Sequence, residues 1–181
     1  MNVLKEFKTP ILFLVKFLAI YLLASLVYGI FISSYSPSAD PITDFVTENT
    51  QQLLVLLGYP VSTLADETGP YVKLVEDGTI ILSVFEGCNG VNVSIVFLAF
   101  LVAYSRPVVQ LVWFIPLGLF IIHLVNLLRI SFLFYVSKNQ PDYLYFAHKY
   151  LFTAIIYAVI FLLWYIWVNK LHRRKAAPST E

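Results

Sequence analysis

Four apolar runs, separated by polar stretches of unequal character, organise this 181-residue chain. They cover roughly Pro10–Ile32, Val91–Tyr104, Pro107–Val136 and Tyr150–Val168. A helix needs about 20 apolar residues to cross the ~30 Å hydrocarbon layer of a bilayer. The first and fourth runs have that length. The second is short and must recruit residues before Val91, from Cys88 onward. The third is long and carries Pro116, so it reads as one helix that kinks, tilts or projects beyond the hydrocarbon, with two half-helices as the alternative. Lys5 and Lys8 resemble the charged start of a signal peptide. However, the first run exceeds the ~7–15 apolar residues of such a segment and no small-x-small cleavage site follows, so it reads as an uncleaved anchor.

The stretch between the first two runs has its own pattern. Asp40-Pro41 predicts a helix N-cap followed by proline at the first helical position. Ile42, Phe45, Val46, Leu53, Leu56 and Leu57 then recur near helical spacing, and Gly58 and Pro60 end the helix. Such a stripe predicts a helix that lies on the membrane surface or covers the outer helix ends. Tyr71–Val75 and Thr79–Phe85 are β-branched and aromatic runs joined through Glu76-Asp77-Gly78, which predicts a β-hairpin. The expected fold is therefore an all-α polytopic membrane protein. It has about four transmembrane helices, with an extracytoplasmic amphipathic helix and a β-hairpin insert.

Composition agrees, at 59% hydrophobic, 17% aromatic and 13% charged residues. The net charge of +1 hides an asymmetry. Residues 34–87 hold eight acids (Asp40, Asp44, Glu48, Asp66, Glu67, Glu76, Asp77, Glu86) and one base, Lys73. The C-terminal tail instead carries Lys170, Arg173, Arg174 and Lys175. Lys5 and Lys8, Arg106 and this tail fall on one side of a four-span chain, which the positive-inside rule makes cytoplasmic. Residues 34–87 are then extracytoplasmic, too acidic to bind anionic lipids tightly. Basic residues in short juxtamembrane patches orient helices and do not track a phosphate backbone, so nucleic acid is not an expected partner.

Three polar residues stand where the pattern makes them costly, all on the outer side. Cys88, the one cysteine, lies in Glu86-Gly87-Cys88-Asn89-Gly90 ahead of the second run. Unpaired amides and the helix dipole favour a thiolate there, Glu86 opposes it, and the plain alternative is a thiol packed as a small hydrophobe. Asn92 shares its helix face and could orient the thiol or a substrate amide. Arg129 lies about 33 Å along the third helix at ~1.5 Å per residue, near the outer interface. It either snorkels to headgroups or faces protein, and His123, Asn126 and Arg129 at i, i+3, i+6 form a polar stripe of the protein-facing kind. His148 stands at the outer start of the fourth run and would otherwise be an ordinary interfacial histidine. His123, mid-span, is expected to pack or hydrogen-bond inside the bundle. A zinc site from Cys88, His123 and His148 lacks matched depth and paired spacing, and no cofactor motif is present. Thiol, imidazole and guanidinium together meet the needs of thiol acyl transfer: nucleophile, general base and acid, and oxyanion stabiliser.

These residues resemble the exosortase/archaeosortase family of membrane transpeptidase-like proteins over roughly Val75–Val168. The anchors are Glu86-Gly87-Cys88-Asn89-Gly90 opening one helix, Ile115-Pro116 and Asn126-Leu127-Leu128-Arg129-Ile130 on the next, and His148 before the last. Small size and a single N-terminal anchor look most like the compact exosortase F type. The family cysteine is usually followed by Ser or Thr and then Gly, where this chain has Asn89-Gly90. The resemblance implies a cysteine protease or transpeptidase-like sorting enzyme in the bacterial inner membrane. Cys88 would attack the scissile carbonyl and form a thioester, His148 would protonate the leaving amine and later activate the acceptor, and Arg129 would stabilise the oxyanion, with Asn126 positioning it. Its partners would be exported proteins with a C-terminal motif, a transmembrane helix and a basic tail. The implied division is an anchor (1–33), an extracytoplasmic segment (34–87), a three-helix catalytic core (88–169) and a basic cytoplasmic tail (170–181).

A second class of function competes: a non-catalytic membrane protein binding a small membrane partner during assembly of an export system, through the outer helix and the Asn126/His123 stripe. A transporter fits less well, since neither an inverted repeat nor a pair of broken helices is present.

Overall fold

The computed structural model describes residues 7–66, 68–104 and 108–171. Lys5, Glu67, Arg106 and the charged tail beyond residue 171 lie outside the described residues. Helix α1 spans Lys8–Ser33 and is apolar apart from Lys8, Lys16 and a few hydroxyl residues, with Tyr28 its one buried residue. A helix apolar nearly all round belongs in lipid or a core. It runs along α3 (Val91–Tyr104), where Phe13 meets Phe100 and Tyr104 edge to face.

Helix α2 spans Pro41–Leu56 and starts as the sequence predicts, with Asp40 accepting from the N–H groups of Ile42 and Thr43. It ends in a Schellman motif: Gly58 at φ +92 lets Tyr59 N–H reach Leu54 C=O and Gly58 N–H reach Val55 C=O. Its buried face differs from the predicted stripe. Thr43, Val46, Thr47, Thr50 and Leu54 face inward, whereas Phe45, Leu56 and Leu57 are exposed. Thr47 and Thr50 donate to the carbonyls of Thr43 and Val46 one turn back. With its hydroxyl so satisfied, a threonine buries like a small β-branched hydrophobe.

The predicted hairpin is present as β2 (Val72–Glu76) and β3 (Thr79–Val84). Asp77 and Gly78 both have positive φ, the backbone of a two-residue type I′ turn. The sheet has a third strand that the pattern did not predict, β1 (Val61–Ala65), antiparallel to β2. Only Val61 of β1 is buried, so the strand carries no alternation and is held by backbone pairing. Ser137 donates to Ile81 C=O at 2.7 Å, and Lys138 pairs with buried Glu76 at 2.6 Å. Both bonds fix the sheet to the end of α4.

Helix α4 spans Val108–Asn139 as one helix through Pro116. Among the described residues, three helical stretches are long and apolar enough to cross a membrane: Lys8–Ser33, Val109–Asn139 and Pro141–Asn169. The apolar helix α3 is shorter, and it does not extend back to Cys88. Gly90 at φ +84 leaves the helical region, and Asn89 Oδ1 accepts the Val91 N–H, so the helix is capped there. The last stretch begins earlier than its apolar run. A 3₁₀ turn at Pro141–Tyr143 and one α-turn lead into a π-helical turn at Ala147–Leu151, then α5 (Phe152–Ile166). His148 is thus inside a helix and not at its start.

Candidate active site

Strand β3 delivers the chain to Cys88 through a tight turn, closed by Cys88 N–H donating to Phe85 C=O at 2.7 Å. The cysteine belongs to a core cluster with Val84, Leu127 and Ile130, and is 6% exposed. Its carbonyl accepts from Asn126 Nδ2 at 2.9 Å. Asn126 is fully buried, and its Oδ1 lies 3.5 Å from Arg129 Nη1 one turn further along α4. Neighbours at i and i+3 share a helix face, as the Asn126/Arg129 spacing predicts.

His148 reaches the same point from the π-helical turn. Its Nε2 lies 3.5 Å from Cys88 Sγ and 3.5 Å from Arg129 Nη2. Single π turns inside α-helices are frequent at functional sites, because the extra residue re-aims the side chains that follow. Burial pushes the Cys88 thiol above its ordinary value; the Arg129 charge and the Phe85 hydrogen bond oppose the shift, and Glu86 adds to it. A thiol held protonated needs a base within reach to become a nucleophile. The His148 imidazole, 3.5 Å away, is a group that can act as one. Arg129 Nε, meanwhile, is buried with no hydrogen-bond partner among the described residues, so a donor is left over beside the thiol.

Arg129 also lines a cavity of about 590 Å³ between the end of α2, the exposed face of α4 and the start of α5. Leu57, Leu128, Phe132 and Ile155 line it as well. It is an apolar trough with one cationic group.

Of the sequence-predicted residues, Cys88, Arg129, His148 and Asn126 come together. His123 and Asn92 do not. His123 lies against the Phe45 ring at 5.7 Å between centroids, a turn below Asn126, and Asn92 is exposed on α3. Among the described residues, no three His, Cys, Asp or Glu side chains converge as a metal site.

Sequence reasoning missed Asn89, Thr43 and Tyr28. Asn89 Nδ2 donates to Tyr28 Oη at 2.6 Å and to Thr43 Oγ1 at 3.0 Å. The one available signal was the asparagine standing where the resembled family has Ser or Thr.

The chain matches the family model described as transmembrane exosortase over residues 3–165. No curated protein and no solved structure matches it. The match covers most of the chain, α1, α2 and the sheet included, so the likeness extends well beyond Val75–Val168. The chain belongs to the exosortase family.

Proposed function

We propose that this exosortase is a membrane-embedded cysteine peptidase or transpeptidase that sorts exported proteins through a thioester at Cys88. The observation that carries the reading is the meeting of thiol, imidazole and guanidinium at one point: His148 Nε2 is 3.5 Å from both Cys88 Sγ and Arg129 Nη2. His148 Nε2 takes the thiol proton as Sγ attacks the scissile carbonyl carbon. Arg129 meets the negative charge that develops on the carbonyl oxygen, its unpartnered Nε–H included. The C–N bond breaks, the amine leaves with the proton from His148, and the acyl group remains on sulfur. Water or an acceptor nucleophile then gives its proton to His148, attacks the thioester and regenerates the thiol.

Asn126 ties Arg129 to the cysteine carbonyl and so fixes the distance between the two. The 590 Å³ trough gives an apolar substrate stretch a place beside Arg129. Its substrates are exported proteins with a C-terminal motif, a transmembrane helix and a basic tail. The chain sits in the bacterial inner membrane with both termini in the cytoplasm and the thiol on the outer side. The partner-binding alternative keeps the exposed Phe45, Leu56 and Leu57 of α2 but loses Asn126 from its stripe, because that residue is fully buried.

The test is a mass-spectrometric comparison of membrane and surface fractions, wild type against Cys88→Ala. Proteins that keep their C-terminal helix and basic tail only in the variant are the expected result. Unaltered processing despite normal expression of Cys88→Ala would overturn the reading.

A further inference from the structure

Asn89 follows the candidate nucleophile, and three of its amide's four hydrogen-bonding positions are used. The Val91 N–H can only donate, so the carbonyl end of the amide faces it, at 3.0 Å. The NH₂ end therefore faces two hydroxyls, Tyr28 Oη on α1 and Thr43 Oγ1 on α2. Thr43 in turn donates to Asp40 Oδ2 at 2.5 Å, which leaves its oxygen lone pairs toward Asn89. Tyr28, Asp40, Thr43 and Asn89 are all buried.

The Cys88-Asn89 unit is thus held from two sides, by Asn126 through the Cys88 carbonyl and by α1 and α2 through the Asn89 amide. Gly90 lets the loop approach Asn126 this closely. Its φ is +84, and a Cβ there would stand 3.3 Å from the Asn126 amide. The thiol meets His148 at 3.5 Å, where a small rotation of the loop decides whether the proton can move. Misplacement by about 1 Å can cost ~10²-fold in such steps. The one buried residue of α1 is the one that reaches this loop.

We propose that Tyr28, Thr43 and Asn89 form a positioning clamp that sets where the Cys88 thiol sits against His148. Helix α1 is then part of the reaction machinery as well as an anchor. The proposal rests on the thiol chemistry of the proposed function. None of the three residues touches substrate; they act through the cysteine.

Alkylation of Cys88 by iodoacetamide, on the full chain in native membranes, reads the thiol directly and is site-specific because the chain has one cysteine. The charged and titratable groups acting on it are Arg129 from α4, His148 from the π turn and Glu86 in its own loop. Tyr28→Phe removes one hydroxyl, so the alkylation rate should fall about 2- to 10-fold, the span of one hydrogen bond, and the pH midpoint of the rate should move. Thr43→Val should act the same way. In an Asn89→Ala background Tyr28→Phe should add nothing, since coupled residues are non-additive. A loss of fold alone would lower membrane yield and leave the midpoint in place.

Wild-type rate and midpoint in both Tyr28→Phe and Thr43→Val would overturn the clamp, as would a Tyr28→Phe effect undiminished by Asn89→Ala. Processing separates this from failure of the enzyme reading. If Cys88→Ala still processes, the enzyme reading falls and takes the clamp with it. If Cys88→Ala is inactive while Tyr28→Phe keeps the wild-type kcat, only the clamp falls.

Discussion

In the membrane half, α3, α4 and the last helical stretch meet through Phe97, Leu101, Phe114, Ile122, Leu163 and Trp167. Around Cys88, the same α4 meets its neighbours through an amide, a guanidinium and an imidazole. Lipid tails are as apolar as the side chains, so the membrane half gains little from hydrophobic burial and must hold by close shape. The Phe100–Trp164 stack at 4.2 Å and the Phe97 ring lying on Gly118 are that kind of contact. The half around Cys88 adds a polar network to its apolar core. It orients groups by hydrogen bonds whose partners come from α1, α2, the cysteine loop and α4. One half sets how the helices stand, and the other sets where a thiol points.

The largest expected effect separates charge from geometry in the half around Cys88. Arg129→Lys keeps a cation but loses the planar fork that reaches both Asn126 and His148. Its kcat for the substrate found by mass spectrometry should drop about 10²- to 10³-fold, the scale of losing an oxyanion donor. Retention of kcat within threefold would show that a point charge suffices, and would remove Arg129's geometric role.

The next prediction breaks the membrane half alone. A Cβ on Gly118 would come within 2.2 Å of Phe97 Cζ, so Gly118→Leu forces α3 and α4 apart. Overpacking of this kind costs about 1–3 kcal/mol, read as a lower thermal midpoint in detergent. The alkylation rate of Cys88 in the remaining folded protein should not change. A change in both would mean the two halves are not independent.

The residues that announce the site in the sequence are those out of place in their surroundings. Cys88, Arg129 and His148 are polar groups where apolar neighbours make them costly, and a helical period of three links Asn126 to Arg129. Asn89, Thr43 and Tyr28 are ordinary where they stand: an asparagine in a turn, a threonine in an amphipathic helix, a tyrosine in an apolar run. Their meaning lies in contacts across 46 and 61 residues of chain, which no local pattern encodes. Helix α2 was legible at both ends, through Asp40-Pro41 and Gly58, because caps are local chemistry. Its buried face was not, because threonines that bond their own backbone are inward without being apolar. The strand β1 was illegible for a related reason, since backbone pairing holds it. The early start of the last helical stretch was hidden by Pro141, Asp142 and Lys149, which dilute the apolar signal while remaining compatible with a helix end.

A smaller prediction concerns the field at the thiol. The Glu86 carboxylate adds to the upward push on Cys88, as the weakest of the contributions. Glu86→Gln removes it, so the pH midpoint of iodoacetamide alkylation should move down, and the rate at neutral pH should rise by less than about tenfold, one pH unit of midpoint shift. A midpoint that moves upward would mean that Glu86 acts on the loop's conformation and not through its charge.

The smallest effect lies at the end of the edge strand β1, at Asp66. Asp66 pairs with Lys73 at 2.7 Å and accepts from the Thr68 N–H and hydroxyl, which together hold its carboxyl at about 2, below the ordinary 3.8. A depressed carboxyl stabilises the fold above its unfolded value, and that contribution is lost as pH falls from about 4 to about 2. Wild type should therefore exceed Asp66→Asn in thermal midpoint at pH 5, and the difference should shrink toward zero near pH 2. The ion pair is exposed enough for solvent and salt to weaken it, so the difference should also shrink in high salt. Among the described residues the ring-stacked helices hold no ion pair of this kind, so fluorescence from Trp113, Trp164 and Trp167 should report one late transition in both proteins. A midpoint difference that stays constant from pH 5 to pH 2 would mean that Asp66 acts by shape in its turn and not by charge, and the sheet would then resemble the membrane half more than its hydrogen bonds suggest.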